Sequence, residues 1–184
     1  MAESISPSIS VALSIDPPSF ALSENVTLNV TAVLHAQDPI TIFTWPNIFN
    51  IDLAQKRANF TCEDLNTGFP MNLEITKGPQ RSGFNHELGG RDDSYHDTLQ
   101  PEEPVTFKGS FKLASRTDKG SHVLTPGHRY RFGVREGEKI QWWREGKKED
   151  ALLPPGDDAN SDNPSGGPIV LESVEPVEFE VKES

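Results

Sequence analysis

After the turn at Pro126-Gly127, apolar residues recur at every second position: Tyr130, Phe132 and Val134. A period of two puts these three side chains on one face of a strand and Arg129, Arg131 and Arg135 on the other. The first inward residue carries a hydroxyl. The same period runs through much of the chain. Ile9, Val11, Leu13 and Ile15 predict a strand over 8–16 that Pro17-Pro18 stops. Val26, Leu28, Val30 and Leu34 alternate with Asn25, Thr27, Asn29 and Thr31, the strongest strand signal present. Residues 40–45 (Ile-Thr-Ile-Phe-Thr-Trp) are β-branched and aromatic and end at Pro46. A short strand is expected around Asn59–Cys62, with a turn at 66–68 and a partner over Met71–Ile75. Val105, Phe107, Phe111 and Leu113 predict another strand, with an irregularity at Gly109-Ser110, and Val177, Phe179 and Val181 close the chain.

Leu124-x-Pro-Gly-x-x-Tyr130 resembles the tyrosine corner that leads into strand F of immunoglobulin-like and fibronectin-type sandwiches. The resemblance implies that the phenol closes a crossover by bonding backbone a few residues upstream. Residues 173–181 resemble the closing strand G, and Trp45 is similar to the core Trp of immunoglobulin domains. The implied fold class is all-β, an immunoglobulin-like antiparallel β-sandwich with long loop insertions. It points to no particular family member.

At 184 residues the chain is expected to form one domain over 1–184. Two segments interrupt the strand pattern. The connection over 77–104 is long and rich in Gly, Pro, Asp and Asn, and 136–172 is inserted between strands F and G. Within the insertion, 154–167 has no apolar anchor and is expected to be disordered. Residues 139–143 are expected to form a hairpin with the Tyr130 strand through a three-residue loop at 136–138. Val134 then pairs with Ile140 and Phe132 with Trp142, which turns Trp142 inward and Trp143 outward, across from Arg131.

Net charge is −11, so neither nucleic acid nor an anionic membrane is an expected partner. No run approaches the roughly 18 apolar residues of a membrane span. Cys62 is alone, which excludes an intrachain disulfide and a thiolate metal cluster. The start lacks a basic stretch followed by an apolar run, so a cytoplasmic location is expected. Sequons at Asn25, Asn29 and Asn59 pull the other way, but the first two belong to the polar face of an alternating strand.

Charge is unevenly spread. Between His128 and Lys148 seven basic residues face three acids, whereas Glu149–Ser184 holds ten acids against Lys182 alone. Arg129, Arg131 and Arg135, joined by Trp143 and Arg144, form an expected ligand-binding strip for a protein or small-molecule partner of anionic or aromatic character. The competing expectation is that the acidic tail folds back and neutralises it. His86, Glu87, Asp92, Asp93, His96 and Asp97 are metal-ligand types on one loop, but their spacing matches no metal motif, so no metal and no cofactor is expected. No Gly-x-Ser-x-Gly elbow is present, and acidic neighbours push the Cys62 thiol up rather than activate it. The leading function is a non-catalytic binding module using a cationic Trp/Arg face. The alternative is a small cofactor-free enzyme of cyclase or isomerase type, acting on a hydrophobic molecule between the sheets, with His35, Arg131, Tyr95 and His96 as polar groups. A third reading is an accessory domain that only pairs with a larger protein.

Overall fold

Burial follows the alternation. In a computed structural model, which describes residues 6–77, 83–156 and 163–183, Leu28, Val30, Ala32 and Leu34 are fully buried while Thr27, Asn29 and Thr31 stay half-exposed. Each large aliphatic chain removed from water in this way is worth about 1.5–3 kcal/mol. The strands in order are β1 (Ser8–Asp16), β2 (Ser19–Phe20), β3 (Thr27–His35), β4 (Ile40–Phe43) and β5 (Phe60–Asp64). Next come β6 (Phe69–Pro70), β7 (His96–Leu99), β8 (Val105–Ser110), β9 (Thr117–Asp118) and β10 (Ser121–His122). The last are β11 (Arg129–Val134), β12 (Lys139–Ile140), β13 (Trp143–Glu145), β14 (Ile169–Val170) and β15 (Val177–Val181). Three one-turn helices, α1 (Ile51–Ala54), α2 (Lys112–Ser115) and α3 (Lys148–Ala151), cap connections.

Two sheets, β1-β3-β8 and β2-β15-β11-β5-β6, face each other and share one apolar core. The fold is an all-β, immunoglobulin-like antiparallel sandwich. Tyr130 lies at its centre, 1% exposed, with its ring stacked on Phe179 at 5.1 Å. The Thr125 amide donates to the phenol oxygen at 2.8 Å. Gly127, at a φ of +81 that favours glycine, makes the turn just before it. The tyrosine corner is therefore present as the motif implied.

A third sheet, β13-β4-β7, is assembled from three separate connections: β3 to β5, β6 to β8, and β11 to β15. They meet because they leave the same end of the sandwich. β15 finishes beside β2, and β1 finishes opposite the start of β3, so the end of β3 and the start of β15 lie at the other end. A second cluster of Phe43, Trp142 and Leu152 forms there, flanked by Trp45, Phe84, Leu88 and Tyr95.

Several expectations are corrected. The hairpin between β11 and 139–143 does not form, because up to Phe132 both edges of β11 are taken, by β5 and by β15. Instead Ile140 pairs with Ile169, and Trp143 with Ile42. Trp143 is buried, not outward: its Nε1 donates to the Gly167 carbonyl at 2.8 Å, and a Cβ on Gly166 would lie 2.8 Å from the indole. Of the segment expected to be disordered, 157–162 lies outside the described residues, but Ser165 is bonded on both sides, its amide to Trp143 and its hydroxyl to Glu145. The ladder at Gly109-Ser110 runs on without a bulge, and the glycine is needed because Ile51 comes within 2.8 Å of where a Cβ would stand. Trp45 is half-buried outside the sandwich core, against Tyr95 at 5.2 Å. In the 77–104 connection, residues 78–82 lie outside the described residues and the rest supplies β7.

Replacing Tyr130 with Phe keeps the ring and strands the Thr125 amide. The expected cost is about 1–3 kcal/mol in urea denaturation. An unchanged midpoint would show that the corner contributes nothing to stability.

Candidate functional site

The outer face of β11 presents Arg129, Arg131 and Arg135, as parity requires. Each cation already has a carboxylate. Glu178 on β15 takes Arg129 and also Arg131 Nη2 at 3.4 Å, and Arg131 Nη1 lies 3.6 Å from Glu63 on β5. The acidic C-terminal strand thus meets Arg129 and Arg131, the part of the strip nearest to it. These pairs are about half exposed, so each adds little to stability. Arg135 differs, because its partner Glu138 is buried. The Glu138 carboxylate accepts from Arg135 Nη2 at 2.7 Å and, through both oxygens, from Asn59 Nδ2 at 3.0 Å. The sequon residue Asn59 is therefore an internal side chain committed to a charge.

Beyond Phe132 the five-stranded sheet opens. Odd residues of β11 bond toward β5, as the Leu65 amide to the Arg129 carbonyl and the Arg135 amide to the Asn59 carbonyl show. Even residues bond toward β15, where the Val181 amide donates to the His128 carbonyl. That ladder ends at Phe132 opposite Val177. Val134, next in line, makes no backbone bond on this side among the described residues. The chain before Pro176 has swung away to join β12, with the Leu171 amide donating to the Glu138 carbonyl at 2.9 Å. The separation leaves a groove of about 550 Å³ between residues 134–138 and 170–174. A trough of about 520 Å³ continues from Val134 and Val174 across Gly133 and Arg131 to Pro70. Glu136 and Glu172 border the groove, beside Val170, which is 60% exposed.

The other predicted site residues lie elsewhere. Arg144 is in β13 opposite Thr41. His35 ends β3, bonded to Ser10 Oγ and to Glu102 Oε1, each at 2.8 Å. Tyr95 and His96 belong to the second cluster, so the four groups proposed for catalysis occupy three separate places. The sequence did place Arg131 and Arg135 correctly on one face. It missed Val134 and Glu138. Pro176 was the available signal for the opening, since it marks where β15 begins; nothing in Glu136-Gly137-Glu138 marks its last residue for burial.

His86 and His96, ten positions apart on one loop, come into contact. The Asp92 carbonyl accepts from His96 Nδ1 at 3.0 Å, so that nitrogen carries the proton. His96 Nε2 is then the acceptor for His86 Nδ1 at 2.9 Å. The His86 ring stacks on Trp142 at 4.0 Å. Burial, reinforced by His86, holds the His96 imidazole down at about 4. Burial likewise pushes the Cys62 thiol up to about 12, so it is an inert core residue. Among the described residues no three His, Cys, Asp or Glu side chains gather as a metal site requires.

No family model matches this sequence, and no curated protein matches it. Among solved structures, the CARDB domain of the PF1109 protein from Pyrococcus furiosus, in complex with di-metal ions, is similar with 7% identity, covering 97% of this chain and 96% of that one at a TM-score of 0.33. A likeness that slight carries no argument about what this chain binds.

The His96 environment makes stability depend on pH. Its folded pKa lies below the unfolded value of 6.5, so the unfolded chain binds more protons between the two. The contribution is complete above pH 6.5 and is lost as pH falls toward 4. It amounts to a few kcal/mol, on the order of 3. Proton NMR of the ring should show no titration until about pH 4; a midpoint near the ordinary value would contradict a buried, neutral His96.

Proposed function

We propose that the protein is a non-catalytic interaction module that takes an extended, basic segment of a protein partner into the opening beside Val134. The observation that carries this reading is the unpaired backbone of Val134 at a groove already walled by strands. An incoming segment gains main-chain bonds there without displacing any, as in strand addition to a sheet edge. Apolar residues of the segment meet exposed Val170, and its basic residues meet the neighbouring Glu136 and Glu172. A net charge of −11 speeds encounter with a basic partner. The cations of β11 are engaged by Glu63, Glu178 and Glu138, so they favour recognition of a carboxylate here less than the bordering acids favour a cation.

Peptides selected for binding from a random library should alternate β-branched residues with Lys or Arg. Val134→Pro removes the amide hydrogen from a position with no internal partner and should weaken the selected peptides up to about tenfold while the circular dichroism stays unchanged. Glu136→Lys with Glu172→Lys should remove the salt dependence. Acidic selected peptides, or full affinity in the proline variant, would contradict the proposal.

A further inference from the structure

A second opening lies on the other side of β11 and shares no residue with the groove at Val134. Its floor is aromatic. Phe60 and Phe132, on neighbouring strands, place their rings 5.0 Å apart and inclined by 30°. Leu73, Leu113 and Ile75 form the walls, giving an apolar cleft of about 180 Å³. Ile75 is 56% exposed at the lip, so the apolar surface runs out to solvent.

The mouth carries only one sign of charge. Lys56, Lys112 and Arg116 line it, and no acid does. This is unusual on a chain of net charge −11, whose other arginine cluster is neutralised residue by residue. Lys56 makes no ion pair among the described residues. Lys112 Nζ reaches Asp52 only at 3.9 Å, both side chains being well exposed. Arg116 Nη1 donates to the carbonyls of Asn72 at 3.2 Å and Leu73 at 3.4 Å, contacts that aim the guanidinium without cancelling its charge.

The mouth is also built rather than loose. Gln55 holds α1 against α2: its Nε2 donates to the Ser110 carbonyl at 2.9 Å and its Oε1 accepts from the Lys112 amide at 2.8 Å. The Ile75 amide donates to the Lys56 carbonyl at 3.0 Å, which ties the lip to the end of α1. A site held open in this way loses little freedom when it is filled.

We propose that this cleft binds a small aromatic carboxylate, with a single ring on Phe60 and Phe132 and the carboxylate between Lys56, Lys112 and Arg116. Size selects one ring, since an apolar cavity of about 150 Å³ holds benzene. The aromatic floor favours a flat ring in edge-to-face or offset contact over a flexible chain. The charge-assisted bonds to the three cations require an anion at one end. This assignment is independent of the peptide groove.

The test titrates the full chain with phenylacetate at concentrations up to the order of 10 mM, a range suited to a ligand of this size, and follows the Leu73 and Leu113 methyl signals by NMR. Saturable shifts of both methyls are expected. Benzyl alcohol, which lacks the charge, and acetate, which lacks the ring, should each bind at least tenfold more weakly. The double variant Lys56→Gln, Lys112→Gln should lose at least tenfold in phenylacetate affinity with an unchanged melting temperature. Hexanoate binding as tightly as phenylacetate would overturn the aromatic assignment. Absence of methyl shifts, or full affinity in the double variant, would overturn the site.

Discussion

The sheet around β11 is complete up to Phe132 and incomplete at Val134, and most of what distinguishes this sandwich follows from that break. A plain closing strand would continue the ladder past Val177. Here Ile169 and Leu171 are drawn into the core, and Ile169 pairs with Ile140 instead. Two buried aliphatic side chains outweigh one further pair of backbone bonds, since a net hydrogen bond is worth about 1 kcal/mol and a buried Leu or Ile about 1.5–3. The bonds given up are those of Val134, at a place open to solvent.

The same burial explains why the insertions do not behave as loose loops. Three connections, each without a partner of its own, pair with one another as β13-β4-β7 and bury Trp143, Ile42 and Ile40 against the main core. Trp142, on the next position, points to the other side and closes the second cluster over His86 and His96. Consecutive tryptophans buried in opposite directions need protein on both faces, which a two-layer sandwich alone does not provide. Glu138 adds a polar anchor at the turn. Its buried carboxylate holds Arg135 and Asn59 together, and removing either partner leaves a charge poorly compensated.

Local pattern made much of this legible and long-range pairing did not. β1, β3, β11 and β15 could be read because one face of each is buried and the other is wet, and the tyrosine corner is a contiguous motif. The register over 139–143 is not legible in this way, because Ile140, Trp142 and Trp143 are all buried and no alternation marks a face. Arg129, Arg131 and Arg135 were placed on the right face, but the carboxylates that meet two of them lie across the sheet, on Glu63 and Glu178, beyond any local signal. The aromatic cleft was invisible for the same reason. Its lining comes from Gln55 and Lys56 just after α1, from Leu73 and Ile75, and from α2, β5 and β11, which no spacing along the chain connects. The contact between His86 and His96 likewise depends on how a long connection folds over Trp142.

Residue-resolved amide hydrogen exchange at neutral pH tests the break in the ladder most directly. The account predicts strong protection at Phe132, whose amide is bonded within the sheet, and fast exchange two residues later at Val134. Equal protection at the two amides would mean that the closing strand continues past Val177 in solution, and the opening described here would not exist.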